Sequence, residues 1–526
     1  MFSRLAQRCV PARSQSGVRE RAFVPLATAR RRPEVTPRWR TLIVLPTRGQ
    51  AEGGFTASER YLARLCERSF LSLWSHPNVF RAPNKELCDL LVVFGDHVIV
   101  FSDKSCALKP GPHGWSRWFR SAISDSASQL HRAAGWVRAH RDQLFMDVRC
   151  TVRFPFELPS NPKVHLIAVA IGAAAACRED FGGGSGSLVI TPASDGTEPF
   201  TVGDLDPDKP FVHVLDETSL DLVMRELDTV DDFVRYLVAK ESFVRSGQLV
   251  SAAGEEDLLA YYLQRFDETT GDHAFVFDDN PTGVVIDEMW EAFTRTAEYR
   301  AKKEADKISY LWDGMIESVA KCAAEGRLVT GNEFPLQAHE QGLRLLAAER
   351  RVVRRGLAKS LRDVLLRSDT QDLFARTMPS GSHRDHGYVF LTIKRRADFR
   401  SEERYRTFRQ RTLMHYCDTV KLRQPSTSVL VGLGFGAQSE RDGSIDMLVR
   451  EFDGWTEDDA ARADDMRRKY GWSDGDDLPE VHSTEYEYPV TPQHPAAPAV
   501  DKRQSVDRDR RSKRKAQRAA RKKNRR

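Results

Sequence analysis

Residues 85–104 read Lys-Glu-Leu-Cys-Asp-Leu-Leu-Val-Val-Phe-Gly-Asp-His-Val-Ile-Val-Phe-Ser-Asp-Lys, and no other stretch restricts the fold of this chain as much. Two apolar runs, Leu90–Phe94 and Val98–Phe101, flank Gly-Asp-His, which is the pattern of a β-hairpin with buried strands. Charges stand at its open end: Asp89 enters the first strand, and Ser102-Asp103-Lys104 leaves the second. Acids and a lysine on a buried sheet are costly unless they pair or hold a metal. Register decides which of them meet, because side chains alternate along a strand and a one-residue slip exchanges faces. A two-residue loop, Asp96-His97, sets Asp89 opposite Lys104 and gathers Asp89, Ser102 and Lys104. A three-residue loop, Gly95 to His97, sets Asp89 opposite Asp103 and turns the lysine away. A bulge near Ser102 brings both Asp103 and Lys104 inward.

Helical patterns lie on either side of the hairpin, over Thr56–Trp74 before it and Trp115–Arg138 after it. Helix, acid-bearing strand, hairpin to a strand ending in acid and lysine, and second helix together resemble the PD-(D/E)xK nuclease superfamily, particularly its Mrr-like and nuclease-related-domain branches. The resemblance covers residues 55 to about 245. It implies a restriction-endonuclease-like α/β fold, a mixed sheet flanked by helices. It also implies hydrolysis of phosphodiester bonds in DNA or RNA with Mg²⁺ or Mn²⁺. Asp89, with Glu59, Ser102 or Asp103, would hold the ion, and Lys104 would assist the attacking water. Gln129 falls where some branches carry a glutamine on the second helix. The motif departs from the family at Ser102, where an acid is expected two residues before the lysine. Nucleases of this branch often serve host defence or mobile elements. The alternative is a catalytically degenerate nuclease fold that binds nucleic acid or acts as a scaffold.

Each candidate also has a plainer reading. Thr56-Ala-Ser-Glu59 is a capping box, so Glu59 closes the helix N-terminus. It also stands at helical spacing from Leu62 and Cys66, on the inward face. Asp89 reads as a strand-entry residue, Lys104 as an edge-strand charge that deters aggregation, and Gln129 as a solvated or capping amide.

Charge is distributed unevenly. The chain of 526 residues carries +5, yet Arg510–Arg526 holds eleven Lys or Arg and no acid, which leaves −6 for the remainder. Within that tail Arg510, Arg511, Lys513, Arg514, Lys515, Arg518, Arg521, Lys522 and Lys523 are the expected nucleic-acid contacts, binding polyanions with strong salt dependence. The eight cysteines are scattered, without a Cys-x-x-Cys pair, and imply reduced thiols in a cytoplasmic setting and no structural zinc. No apolar stretch is long enough to cross a bilayer, so no membrane partner is expected.

Length suggests several domains. Residues 1–54 read as a basic, largely disordered arm, with the composition of a mitochondrial transit peptide, a basic extension or an overextended reading frame. The nuclease-like α/β domain spans 55–246, and a helical region spans 255–370. In that region Glu255–Phe266, Val285–Glu325 and Phe334–Leu366 carry apolar residues at helical spacing. The basic run Arg350–Lys359 reads as a solvated helix face, or as the lining of a nucleic-acid groove. A small α/β or α+β domain follows over 386–475, then a linker and basic tail over 486–526. Gly432-Leu-Gly-Phe-Gly lacks the helix that a dinucleotide turn needs, and Walker, kinase and nucleophile-elbow patterns are missing.

Overall fold

A computed structural model describes residues 5–11, 56–267, 270–275, 283–328, 336–437, 444–472, 480–483 and 485–489. Leu5–Pro11 is strand β1, within the stretch read as a basic arm. Thr56 caps α1 (Ala57–Phe70), which buries Leu62, Leu65, Cys66, Ser69 and Phe70 and stops at Leu71, where φ is +67°. Three antiparallel strands follow: β2 (Ser75–Ala82), β3 (Lys85–Phe94) and β4 (His97–Ser105). The chain then runs through α2 (Gly114–Phe119), a π-turn at Arg120–Ser124 and α3 (Asp125–Ala139) into β5 (Lys163–Ile171). After α4 (Ala174–Phe181), β6 (Val189–Ala193) and β7 (Thr201–Asp204), it enters β8 (Val212–Asp216).

The architecture is mixed α/β. The first sheet has the order β2-β3-β4-β5-β8, with β4, β5 and β8 parallel. Strand β3 is buried from Leu87 to Phe94 and β4 from Val98 to Asp103, because α1 and α3 both pack against them. Burial on both faces is why these strands read as continuous apolar runs and not as alternating ones.

Helices α5 (Ser219–Glu226) and α6 (Val230–Arg245) precede β9 (Leu249–Ala252), α7 (Glu255–Leu263), the short pair β10 (Phe266–Asp267) and β11 (Asp272–His273), and β12 (Val284–Ile286). Strands β12-β9-β6-β7 make a second sheet, which crosses the boundary read at residue 246. Val285, expected to start a helix, lies in β12; helix returns in α8 (Met289–Thr294), α9 (Ala297–Asp306) and α10 (Tyr310–Ala324). Helices α11 (Leu336–Ala347) and α12 (Arg351–Arg367) lead to β13 (Leu373–Pro379), β14 (His386–Ile393), α13 (Glu402–Arg423), β15 (Val429–Phe435), β16 (Ile445–Glu451), α14 (Glu457–Tyr470) and β17 (Glu480–Ser483). The third sheet has the order β16-β15-β14-β13-β1-β17. Gly432 and Gly434 lie inside β15, where a Cβ on Gly432 would come within 3.0 Å of Leu413 on α13. These glycines admit a helix, not a phosphate.

Two expectations for the C-terminal half are corrected. The start of α12 is not a solvated basic face: Arg351, Arg354 and Arg355 are buried. Arg351 pairs with Asp228 at 2.8 Å and Asp313 at 2.7 Å, Arg354 with Asp313 at 2.5 Å, and Arg355 with Asp306 at 2.7 Å. The segment read as the start of a linker is likewise docked. Glu487 is buried and meets Lys302 at 2.7 Å, while Arg355 donates to the Tyr486 carbonyl at 2.7 Å. The Tyr488 hydroxyl donates to the Leu263 carbonyl at 2.6 Å. Buried charges persist only when paired and hydrogen-bonded, and here aspartates distant in sequence supply the partners.

A candidate acidic site at the open end of the hairpin

The hairpin turns on two residues, Gly95 and Asp96, because Phe94 pairs with His97 and Leu90 with Phe101. Gly95 takes a positive φ of +56°, as the first central residue of a type II′ turn requires. His97 is therefore a strand residue. It is held there by His165 of β5, whose Nε2 lies 3.0 Å from His97 Nδ1 with the rings stacked. Neither expected register is correct. Continuing the ladder sets Asp89 opposite Ser102, so Asp89, Ser102 and Lys104 share one face and Asp103 takes the other.

Burial depresses the pKa of both histidines, that of His165 to about 4, with His97 and Lys163 adding repulsion. The unfolded chain binds the proton near pH 6.5 and the folded chain does not. Stability therefore falls as pH drops from about 6.5 toward 4, by up to ~3 kcal/mol for His165 alone. In urea titrations between pH 7.5 and 4.5, His165→Phe should remove that part of the pH dependence. An unchanged slope would show that the pair does not titrate on folding.

The β3–β4 ladder ends at Leu90 and Phe101, and a side chain takes over: the Asp103 N–H donates to Asp89 Oδ2 at 2.5 Å. Asp89 and Asp103 are each 7 % exposed. Burial is the main cause that raises both carboxyls, Asp103 up to about 6. At Asp89 the Asp103 amide and Lys104 oppose that rise, while the Glu59 charge adds to it. At Asp103 the Ser58 hydroxyl opposes it, and Asp89 and Glu59 add to it. Both Asp103 side-chain oxygens are buried without a hydrogen-bond partner of normal geometry. Buried carboxylate oxygens without partners are rare and call for an explanation.

The remaining candidates sit around this pair. Glu59 does close the capping box, its Oε2 accepting from the Thr56 N–H at 2.9 Å. Its charge nevertheless reaches Asp89, Asp103 and Glu86. The Ser102 hydroxyl lies 3.5 Å from that of Ser126 on α3, and both are fully buried. Gln129, one turn on from Ser126, is half-buried and makes no side-chain hydrogen bond among the described residues. Lys104 is half-buried and forms no ion pair among the described residues, yet its charge lowers the pKa of Asp89, Asp103 and Glu86. The tail contacts Arg510, Arg511, Lys513, Arg514, Lys515, Arg518, Arg521, Lys522 and Lys523 lie outside the described residues.

Glu86 was not foreseen. Desolvation first, and then the charges of Asp89 and Glu59, push its carboxyl up to about 7. The signal available in the sequence was Glu86-Leu-Cys-Asp89, two acids at an odd spacing that a regular strand would send to opposite faces.

Among the described residues, no three His, Cys, Asp or Glu side chains form a group that could hold a metal. A magnesium-like ion needs fewer, since it keeps several waters and is bound by one or two carboxylates plus substrate phosphate. Asp89 is a buried hard oxygen donor of the kind such an ion takes, and the charge of Asp103, on the other face, acts on it across the end of the sheet. A cavity of about 1070 Å³ lies at the other end of the hairpin, lined by Gly95, Asp96, Arg153, Phe154 and Phe156, and no acid of the cluster lines it. Six residues of strand separate Asp89 from Gly95, roughly 20 Å, so the cavity is not part of this site.

No family model, curated protein or solved structure matches the chain. Among the described residues, no helix is long and apolar enough to cross a membrane.

Proposed function

We propose that this protein is a Mg²⁺- or Mn²⁺-dependent nuclease of the PD-(D/E)xK kind, hydrolysing phosphodiester bonds of DNA or RNA. The observation that carries the reading is Asp89, buried at the end of the hairpin on one face with Ser102 and Lys104, next to the equally buried Asp103, whose carboxylate has no hydrogen bond of normal geometry. The order of α1, the hairpin and α3 on a mixed sheet supports a restriction-endonuclease-like arrangement of this part of the chain.

Asp89 would hold the ion on the face it shares with Ser102 and Lys104, with Asp103 and Glu59 adding negative charge from the other side of the sheet end. When bound, the ion polarises the phosphate and acidifies a water. Asp89 also fixes the backbone at Asp103 through the hydrogen bond it accepts from that residue's N–H. Lys104, on the Asp89 face and without an ion pair among the described residues, offers its positive charge to the phosphate oxygens as the water's oxygen bonds to phosphorus and the leaving oxygen departs. The Ser102 hydroxyl acts on the Asp89 carboxyl, lowering its pKa, and also lies 3.5 Å from the Ser126 hydroxyl of α3.

A second reading rests on Ser102 itself: with no acid at that position, the fold would be a degenerate one that binds nucleic acid through its basic tail. Incubating the full chain with linear, supercoiled and single-stranded substrates in Mg²⁺, in Mn²⁺ and in EDTA separates the two. Metal-dependent cleavage is expected. Salt-sensitive binding without cleavage, lost on deleting Arg510–Arg526, would replace the nuclease with the binding protein.

A further inference from the structure

Between Lys104 and Asp142 the chain holds six Lys or Arg, and Asp125 is its one acid. That stretch therefore carries +5, although the chain without its tail carries −6. The six are Lys109, Arg117, Arg120, Arg132, Arg138 and Arg141, and each is exposed. None of them forms an ion pair among the described residues. Exposed arginines elsewhere do: Arg225 meets Asp221 at 3.1 Å, Arg295 meets Glu291 at 2.9 Å and Arg468 meets Asp464 at 2.8 Å. Like charges left without internal partners repel one another, and an external polyanion relieves that repulsion.

The fold arranges these charges in a row. Helix α2, the π-turn and α3 run as a single helix, because the backbone stays right-handed helical at both joints, Arg120 and Asp125. Its inner side is apolar, with Trp118, Ile123, Leu130 and Val137 buried over the sheet. Its outer side holds Arg117, Arg120 and Arg132, with Ser121 and Ser128 exposed between them and Arg138 near the far end. Asp125 is the one carboxylate on that side. At 1.5 Å per residue, Arg117 and Arg138 stand roughly 30 Å apart, and a duplex of that length carries about eighteen backbone charges. At the near end, a Cβ on Gly114 would lie 2.0 Å from the Lys109 carbonyl, so the loop leaving β4 is pressed against α2 with Lys109 beside it. The row thus begins at the end of the sheet where Lys104 leaves β4.

No large apolar side chain between Lys104 and Asp142 is exposed, so nothing on this side of the helix would enter a lipid headgroup layer. Guanidinium groups and hydroxyls on a rigid helix suit phosphodiester oxygens. We propose that the outer side of the α2–α3 helix, with Lys109, docks a nucleic-acid backbone through phosphate charge, independently of base sequence. This goes beyond the hydrolytic reading, because the row binds a backbone whether or not the acids beside it cleave it. It also places binding on a helix of the folded body and not on the tail alone.

The test is fluorescence anisotropy of a short labelled DNA duplex with the full chain in EDTA, between roughly 50 and 200 mM salt. Two triple variants remove the same charge. One carries Arg117→Gln, Arg120→Gln and Arg132→Gln; the control carries Arg225→Gln, Arg295→Gln and Arg468→Gln, all from surface ion pairs worth little to stability. Circular dichroism checks that both are folded. The first should bind at least about tenfold more weakly, with its slope of log affinity against log salt shallower by roughly two to three. The control should stay within about twofold of the wild type. Equal weakening of both triples would overturn the assignment in favour of net charge and tail, and so would wild-type affinity in the first triple. Vesicles containing phosphatidylserine are the second arm: wild-type binding to them and not to the duplex, lost in the first triple, would give this surface to a membrane instead. With metal withheld, each of these results is separate from whether Asp89 supports cleavage.

Discussion

Asp89→Asn should fold at least as well as the wild type and cleave nucleic acid at least about a thousandfold more slowly. The two effects come from the same carboxylate. Removing its charge deprives the divalent ion of a ligand, and Lewis-acid stabilisation of several kcal/mol corresponds to three or more decades of rate. The amide side chain still offers an oxygen to the Asp103 N–H, so the contact that closes the end of the ladder is kept. Burial raises the Asp89 pKa, so the ionised form weakens the fold at pH values above that pKa. The neutral isostere removes this cost, and the gain should fade as pH falls toward the unfolded value of about 3.8. Asp89→Ala lacks the acceptor and should lose activity together with ~1–3 kcal/mol for the amide left unpaired. Lys104→Ala should slow cleavage without altering the melting temperature by more than a degree or two, because it holds no ion pair among the described residues. Thermal melts at pH 8 and single-turnover cleavage rates check all three. Cleavage by Asp89→Asn at the wild-type rate would remove this residue from the chemistry.

Glu487→Ala should cost about 3–5 kcal/mol. Glu487 and Asp306 together face Lys302 and Arg355, and all four are nearly or fully buried. Lys302 lies 2.7 Å from Glu487 and 3.1 Å from Asp306. His273 also lies 3.5 Å from Glu487. With the glutamate gone, two buried cations share one carboxylate, and desolvation of the excess charge is uncompensated. The attraction of Lys302 and its neighbours overcomes burial and holds the Glu487 carboxyl well below its ordinary pKa, so its contribution is present at neutral pH and lost only in strong acid. The double substitution Lys302→Met with Glu487→Leu removes both charges of the pair and should recover much of the loss. Urea midpoints for the single and double variants measure it. A shift of less than ~1 kcal/mol for Glu487→Ala would mean that residues 485–489 are not docked in solution.

How much of this was legible depended on how local each cause is. The capped α1, the hairpin strands and the helix after them follow from patterns contained within each segment: a capping box, two apolar runs and a helical repeat. The turn was misplaced by one residue because His97 looks like loop polarity, and the partner that keeps it in the strand, His165, is 68 residues away. That small error decides which residues face Asp89. Glu86 was missed because the spacing rule assumes a regular ladder, whereas β2 and β3 shift register twice between Val79 and Ala82, which is visible only once the two strands are aligned. The basic start of α12 was misjudged for a related reason. Charge patterning shows that arginines are present but not that Asp228, Asp306 and Asp313 come to meet them.

The bond between the Asp103 amide and the Asp89 carboxylate has a practical consequence. A backbone N–H that donates to a carboxylate has a nuclear magnetic resonance frequency sensitive to the charge on that acceptor. One assigned resonance in this 59.6 kDa chain would thus report the protonation of Asp89, or the arrival of a cation beside it, without any added probe.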